Sequence, residues 1–462
     1  MNLKNVRLMI YIGEANMKII RNNNELISLF PEYYNNLDIK NLKISKYIEI
    51  QYVNDNSIVL YSFISDSIFL LSVEEYEMFI NMNFKKNKGL FKILQQNGFF
   101  IDKKIDELDI MLKHRINMSS YLSQTMKVVI LPTTDCNARC KYCIGYKNKR
   151  INMSMETAND VVNYIVNQSE KYKSIRLDWY GGEPLMEKDI ISYICKEINR
   201  LLPEKEYSSV ITTNLSLFDE KTLEEAKNIW HVKKINITID GFEENHNNKK
   251  NYLNSNLNGY KHTLQCIKNI LENEINVFCR FNIDRNNINE LSIVLEDLKK
   301  FYNHKQFYFF VSPLRGEDSH SEFYETSEYN DLFYETGKLL IEKGFKNEID
   351  SFVPRVALGL CLAKSRNCFV IGPNGLLYRC NLDDLKIENS TGNVVDGLSV
   401  NHIYDRFTNL KLQKKCEICK YLPICQGGCP TEKAQESKSN NQCLKFKFKL
   451  KAISKLLAEY YC

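Results

Sequence analysis

An α/β fold built on a parallel sheet is what the middle of this chain predicts, and three observations carry that reading. Between Lys127 and Gly344, six apolar runs alternate with helix-like stretches, the pattern of right-handed βαβ units. The runs lie near residues 127–134, 174–180, 208–214, 233–240, 275–283 and 306–312. Polar or glycine-containing clusters follow at the C-terminal ends of several runs, the edge at which parallel α/β folds bind ligands. Beyond the last helix-like stretch the composition changes, and cysteines crowd the final third.

At 462 residues the chain exceeds one ordinary core, and its length suggests about three units. The expected boundaries are 1–120, 121–345 and 346–462. Residues 1–120 read as a small α+β unit. Tyr47 to Val53, a polar turn Asn54, Asp55, Asn56, and Ser57 to Phe63 form a hairpin pattern. Ser72 and Glu75 sit at the N-cap and capping-box positions of a first helix, and Leu90 to Gln96 makes a second before Gly98. The formal net charge is only +5, from 62 basic and 57 acidic residues, so there is no global electrostatic case for nucleic acid. No run reaches the roughly twenty apolar residues of a membrane span, and no secretory signal is evident. A cytoplasmic protein without a membrane span is expected. The run Lys445, Lys447, Lys449, Lys451, Lys455, interleaved with Phe446, Phe448 and Leu450, reads either as a solvated helix face or as a dock for an acidic peptide or membrane surface.

Chemistry is concentrated first in Cys136, Cys140 and Cys143, a C-x3-C-x2-C loop directly after the first strand-like run. Three thiolates can hold three irons of a 4Fe-4S cube and leave the fourth open to a substrate or cofactor. The second run ends in Gly181, Gly182, Glu183, Pro184. Two glycines let the backbone approach a ligand closely, and a carboxylate suits an ammonium, although such a tetrapeptide also makes an ordinary turn. Thr213 and Asn214 end the third run, and Thr238 and Asp240 the fourth.

This order of motifs, with Tyr142 just before the third cysteine, resembles the radical S-adenosylmethionine (SAM) superfamily. The resemblance implies a partial (β/α)6 barrel, open on one side, with a 4Fe-4S cluster on Cys136, Cys140 and Cys143. It further implies that SAM is contacted by Tyr142, Gly181, Gly182, Glu183, Pro184, Thr213, Asn214, Thr238, Asp240, Lys250 and Arg280. Related maturases carry Ser where this chain has Thr238 and Arg where it has Lys250. Thr keeps the hydroxyl, and Lys keeps the charge while losing the bidentate fork. Arg280, Asn282 and Asp284 alternate on the fifth run. They face the adenosine or the substrate, or simply form the polar side of a strand.

The chain has 15 cysteines. Cys195 and Cys266 fall in helix-like segments and Cys279 in a strand, where free cysteine packs as a small apolar residue; Cys462 ends the chain and carries no assigned role. The others follow C-x13-G-x4-C from Cys361 through Gly375 to Cys380, then C-x2-C-x5-C-x3-C from Cys416 to Cys429, then Cys443. Phe369 to Ile371 and Leu376 to Tyr378, joined by Pro373, Asn374, Gly375, read as a β-hairpin. The absence of a secretory signal disfavours a disulfide framework. A zinc ribbon would accept Cys-x2-Cys pairs, but not explain the upstream loop and its partner motifs. The pattern resembles the SPASM extension of peptide-modifying radical SAM enzymes, which implies two auxiliary 4Fe-4S clusters. By that resemblance Cys361, Cys380 and Cys429, with Cys368 as fourth ligand, hold the first, and Cys416, Cys419, Cys425 and Cys443 the second.

In such enzymes the reduced cluster donates an electron to SAM, the carbon–sulfur bond breaks, and the resulting 5'-deoxyadenosyl radical abstracts hydrogen from the substrate. The cofactors do the hard chemistry and the protein positions one hydrogen. The full cluster set and the long N-terminal extension imply a maturase of a ribosomally made precursor peptide, installing a thioether or carbon–carbon crosslink. A flavodoxin or ferredoxin would be its electron donor. The N-terminal unit is then a leader-recognition domain that captures an extended peptide, or a module that caps the barrel. The rival reading is an anaerobic sulfatase maturase, which forms formylglycine and starts nearly at the SAM motif. Such enzymes place a catalytic Asp directly after the second hairpin cysteine, whereas Asn381 follows Cys380 here, and an Asn is no general base. Asp383 and Asp384 stand near enough to substitute. A noncatalytic iron–sulfur scaffold or electron carrier is the third reading.

Overall fold

A computed structural model describes residues 17–34, 39–120, 124–143, 145, 149–314, 323–345, 352–382, 385–409, 411–431 and 441–461. Asp383, Asp384 and Cys462 lie outside the described residues, as does the side chain of Cys443. The chain divides into two compact units: one of Met1–Ser119, Thr326–Leu360 and Leu410–Cys462, and one of Ser120–Glu325 and Cys361–Asn409. This grouping cuts across the three consecutive segments that the sequence suggests. The cysteines from Cys416 to Cys429 share a unit with the N-terminal residues, whereas Cys361, Cys368 and Cys380 belong with the parallel sheet.

In the first unit, strands β1 (Lys18–Arg21), β3 (Ile48–Asn54), β4 (Ser57–Ser62) and β5 (Ser67–Ser72) form an antiparallel sheet in the order β1-β5-β4-β3, and β2 (Leu42–Ile44) pairs with β6 (Phe100–Asp102). The expected hairpin is β3–β4, with Tyr52 opposite Ile58 and Asn54 opposite Ser57. After the short helix α1 (Glu25–Leu29), Ser72 and Glu75 close the expected capping box on helix α2 (Val73–Ile80). Helix α3 (Lys88–Gln96) is capped by Asn87 and followed by Gly98 at φ 68°. Leu60, Phe69, Phe79, Leu90, Leu94 and Phe100 fill the core between sheet and helices. Helix α4 (Glu107–Ser120) then leads out of this region. Within the same unit, Gly337 of helix Tyr329–Glu342 meets Leu456 of the terminal helix Asn441–Tyr461, where a Cβ would overlap the leucine side chain. Leu450, Ile453, Leu456 and Leu457 are buried while Lys451 and Lys455 are exposed, so this part of the basic run is the solvated face of an amphipathic helix. No described helix is long and apolar enough to cross a membrane.

The second unit is the α/β part. Six parallel strands lie in sequence order: β7 (Thr125–Ile130), β8 (Ser174–Trp179), β9 (Glu206–Thr212), β10 (Val232–Ile239), β11 (Asn276–Ile283) and β12 (Phe307–Pro313). Each starts within two residues of its expected position. The first ends earlier, because the chain after Ile130 turns into the cysteine loop, with only an isolated bridge from Thr133 to Asn152. The expected C-terminal hairpin is β13 (Cys368–Ile371) with β14 (Leu377–Tyr378). Its β13 adds to the sheet beside β7, pairing Cys368 with Lys127 and Ile371 with Ile130. The sheet therefore has eight strands, and the hairpin completes its β7 side.

Burial alternates along these strands, as the two-residue period of a pleated strand requires. Ile175, Leu177, Trp179, Ile235, Ile237, Ile239, Val277, Cys279 and Phe281 are buried on one face. Cys195 and Cys266 are buried too, on helices of this unit, so these three cysteines pack as apolar residues. The other face keeps Arg176, Asp178, Lys234, Asn236, Thr238, Phe278, Arg280 and Phe310 only half-buried. Polar and aromatic side chains on an incompletely covered face give the sheet a surface for a ligand rather than a second apolar core.

Candidate active site

The cysteine loop leaves the C-terminal end of β7 and is held by the loop that follows β8. Gly182 donates its N–H to the Thr133 carbonyl at 3.1 Å, and Glu183 donates to the Asp135 carbonyl at 2.8 Å. Gly181 has φ 123°. A Cβ on Gly181 would overlap the Thr133 carbonyl oxygen, and one on Gly182 the Asp135 carbonyl oxygen. Only glycine permits this approach. What these glycines let come close is thus the backbone leading into Cys136.

Glu183 is buried and carries that linkage across to β9. Its Oε1 accepts from Thr213 Oγ1 at 2.7 Å and from the Leu185 N–H at 3.1 Å, and its Oε2 accepts from the Asn214 N–H at 2.7 Å. Burial pushes the carboxyl pKa up, and these hydrogen bonds partly offset it. Pro184 is buried at the start of the short turn Pro184–Glu187. Asn214 in turn donates to Asn137 Oδ1 at 3.0 Å, and its Nδ2 lies 3.7 Å from Cys136 Sγ, which also accepts from the Ala138 N–H at 3.4 Å. Burial pushes the Cys136 thiol up to about 12 and raises that of Cys140 as well.

A second group fixes the far side of the loop. Tyr142 donates its hydroxyl to Asp240 Oδ2 at 2.7 Å, and Lys250 Nζ lies 2.9 Å from the same oxygen. Lys250 also donates to Thr238 Oγ1 at 2.5 Å and to the Tyr142 oxygen at 3.3 Å. Its three ammonium protons therefore have three acceptors inside the protein. Asn282 donates to Asp240 Oδ1 at 2.6 Å, and Asn287 to the Asp240 carbonyl at 2.7 Å. Burial alone would raise Asp240, but the Lys250 ammonium, with the hydrogen bonds from Lys250 and Tyr142, holds it below the usual carboxylate range. Burial likewise opposes the charge on Lys250, and the Asp240 carboxylate outweighs it, keeping the ammonium well above its ordinary pKa. His246, fully buried, is held down to about 3 by desolvation. It is therefore neutral, and its Nδ1 accepts from the Asp240 N–H at 3.2 Å. Backbone bonds complete the clasp: Arg139 donates to the Lys250 carbonyl at 2.9 Å, and Leu253 to the Asn137 carbonyl at 2.9 Å.

Residues 130–298 match the model of the radical SAM superfamily. These residues form a radical SAM domain. The chain is 23% identical over 377 residues to a cysteine-type anaerobic sulfatase-maturating enzyme of Clostridium novyi, covering 72% of this chain and 96% of that relative. It is 24% identical over 306 residues to the radical SAM cyclopropyl synthase TigE of Paramaledivibacter caminithermalis, covering 58% of this chain and 62% of that one. Across three of the curated relatives it matches, the chain spans between 41% and 62% of their length. Among solved structures, one described as native anSMEcpe with bound AdoMet and Cp18Cys peptide shares the fold, with a TM-score of 0.55 and 18% identity over 73% of this chain and 98% of that one. Radical SAM enzymes bind SAM and a 4Fe-4S cluster, and within the matched residues the loop of Cys136, Cys140 and Cys143 brings three thiols close in sequence.

Most of the residues expected at a SAM site meet in one place: Cys136, Tyr142, Glu183, Thr213, Asn214, Thr238, Asp240 and Lys250 are joined by the contacts above, and Cys140 Sγ lies 3.7 Å from the Lys250 carbonyl oxygen. Arg280 lies on the half-buried face in register with Thr238. Asp284 is spent on Lys249, 2.5 Å away. Sequence reasoning missed His246 and Asn287, which hold Asp240 from behind; neither belongs to a recognisable spacing.

The C-terminal cysteines fall into two groups. Cys361, Cys368 and Cys380 surround the β13–β14 hairpin, and burial pushes the Cys368 thiol up to about 12. Arg379, also missed from sequence, is 2% exposed. It donates to the carbonyls of Ala363 at 3.0 and 3.2 Å, of Cys368 at 2.8 Å, and of Ser365. In the other unit, Cys416, Cys419 and Cys425 sit in consecutive short turns, with the Cys419 N–H bonded to the Cys416 carbonyl at 3.2 Å. Buried Arg115 donates to the Gln426 carbonyl at 2.5 Å and to Gln426 Oε1 at 3.2 Å, and burial pushes its pKa down. Cys429 belongs to this unit as well. Among the described residues no three Cys, His, Asp or Glu side chains converge on a single ion. A cubane distributes its thiolates over separate irons.

Proposed function

We propose that the protein is a radical SAM maturase that acts on a precursor peptide and installs a thioether or carbon–carbon crosslink. The observation that carries this reading is the cysteine loop clasped between the Glu183 and Asp240 groups at the C-terminal edge of the sheet, in one chain with two further cysteine groups. The bound cluster and SAM would supply a radical able to abstract hydrogen from an unactivated carbon. Cys136, Cys140 and Cys143 would hold that cluster. The donors aimed at Cys136 Sγ from Ala138 and Asn214 suit a thiolate, and because burial raises these thiols, iron binding would release protons. The half-buried face with Arg176, Lys234, Phe278 and Arg280 would receive the substrate.

Auxiliary clusters on the two C-terminal cysteine groups fit the buried arginine beside each. A peptide substrate fits the N-terminal unit. There β3 is an edge strand among the described residues, able to take on an extended segment, and a groove of about 530 Å³ lies beside it, its lining including Tyr52, Asp55, Ile58, Val73, Tyr76 and Glu77. A low-potential donor of the flavodoxin or ferredoxin type would reduce the clusters.

Formylglycine formation is the second reading, favoured by the sulfatase-maturating relative, 96% of whose length is matched. Against it stands Asn381 after Cys380, which cannot take a proton as a base. The test is mass spectrometry of the small peptide encoded beside the gene, after incubation with anaerobically reconstituted enzyme, SAM and dithionite. Loss of two hydrogens per site, with 5'-deoxyadenosine formed, is the expected result. Conversion of a sulfatase-derived cysteine peptide to formylglycine, with the neighbouring peptide left intact, would replace this reading with the second one.

A further inference from the structure

Arg379 is a cation with no anion in contact among the described residues. Each of its hydrogen bonds ends on a backbone carbonyl, of Ala363, Ser365 or Cys368. The ring of Tyr404 also stands 5.2 Å from the guanidinium carbon. Neutral carbonyls satisfy a guanidinium's protons but not its charge, and an uncompensated buried charge is costly. The placement is specific. The carbonyls it gathers lie on the stretch between Cys361 and Cys368, and Cys380 is the next residue in the chain.

We propose that Arg379 is the built-in counter-charge of the auxiliary cluster on Cys361, Cys368 and Cys380, holding that cluster's reduction potential up while pinning the loop that presents two of its ligands. This rests on the reading that these cysteines hold a cluster. A cube ligated by thiolates is net negative and gains a further negative charge on reduction, and such potentials are set by net charge, hydrogen bonding and burial. A fixed cation beside it stabilises the reduced form more than the oxidised one. Arg379 is a positioning residue: it acts on the cluster and on the loop that holds its ligands.

The test uses the full chain, reconstituted anaerobically, as wild type, Arg379→Gln and Arg379→Lys. Iron is counted per chain, and the auxiliary signals are titrated by EPR against dithionite, the electron source. Arg379→Gln is expected to shift the oxidised-to-reduced ratio of one auxiliary cluster about tenfold toward oxidised at fixed poise, about 59 mV for one electron. The other signal stays in place, and Arg379→Lys stays near wild type. A Gln variant with full iron and an unmoved midpoint overturns the proposal. Should Gln lose iron or fail to fold, Lys decides: retained iron and midpoint support the charge role, whereas loss of iron in both leaves only a loop clamp. Wild-type protein that takes up iron at the first cysteine loop alone would instead defeat the cluster assignment itself.

Discussion

Lys250→Met is the perturbation that best separates two roles for the Asp240 group. Lys250 is 4% exposed and Asp240 fully buried, and their charged atoms stand 2.9 Å apart. Removing one partner leaves the other as an uncompensated buried charge, which costs about 3–5 kcal/mol. For a domain of this size each kcal/mol lowers Tm by roughly 2–4 °C, so a fall of about 6–20 °C is expected. The double variant Asp240→Asn with Lys250→Met removes both charges and should recover at least half of the loss. The pair's contribution is fully present above the unfolded Asp pKa of about 4 and below the unfolded Lys pKa of about 10. It fades as pH falls through the depressed folded value of Asp240, or rises through the raised value of Lys250. Thermal melts near neutral pH, paired with SAM binding by equilibrium dialysis, are therefore the assay. An unchanged Tm in Lys250→Met with a large loss of SAM affinity would refute the argument, because it would show an ammonium free to serve a ligand rather than one spent on Asp240, Thr238 and Tyr142.

Further outcomes follow from the same contacts. Gly182→Ala puts a methyl group into the Asp135 carbonyl, an overpacking that costs about 1–3 kcal/mol and no rotamer can relieve. Iron analysis should show iron lost from the first cysteine loop and retained at the C-terminal cysteines; full retention at both would contradict the backbone-contact argument. His246 faces Asp240, Lys250, Tyr252 and Tyr260 and stays neutral down to about pH 3 when folded. As pH falls below about 6.5 the unfolded chain gains a proton there and the folded chain does not, so stability drops by about 1.4 kcal/mol per pH unit. Urea unfolding should show a shallower pH slope for His246→Gln, and parallel curves would count against it.

The strands and the first cysteine loop were legible because both are local. Alternating apolar runs set β8, β10 and β11, and short spacings set Cys136 to Cys143 and Gly181 to Pro184. The joining of β13 to β7 was not legible: Cys368 meets Lys127 across most of the chain, and no local pattern encodes such a pairing. The same holds for the union of the N-terminal residues with the tail. Lys250 was readable as a charge near the site, but its pairing with Asp240 depends on how helix Glu243–Lys250 packs back onto β10. The glycines were readable as a close approach, while the partner, the carbonyls of Thr133 and Asp135, emerged only in three dimensions. Arg379 and His246 carry no motif, and their roles come wholly from burial and from the groups they touch.

The most direct measurement is 5'-deoxyadenosine formation from SAM by anaerobically reconstituted protein and dithionite, in wild type and in the combined Cys136→Ala, Cys140→Ala and Cys143→Ala variant. Deoxyadenosine and methionine from wild type, with none from the variant although its C-terminal iron is retained, is the predicted result. Undiminished cleavage in the variant, or intact SAM with iron-loaded wild type, would contradict a radical SAM site at this loop.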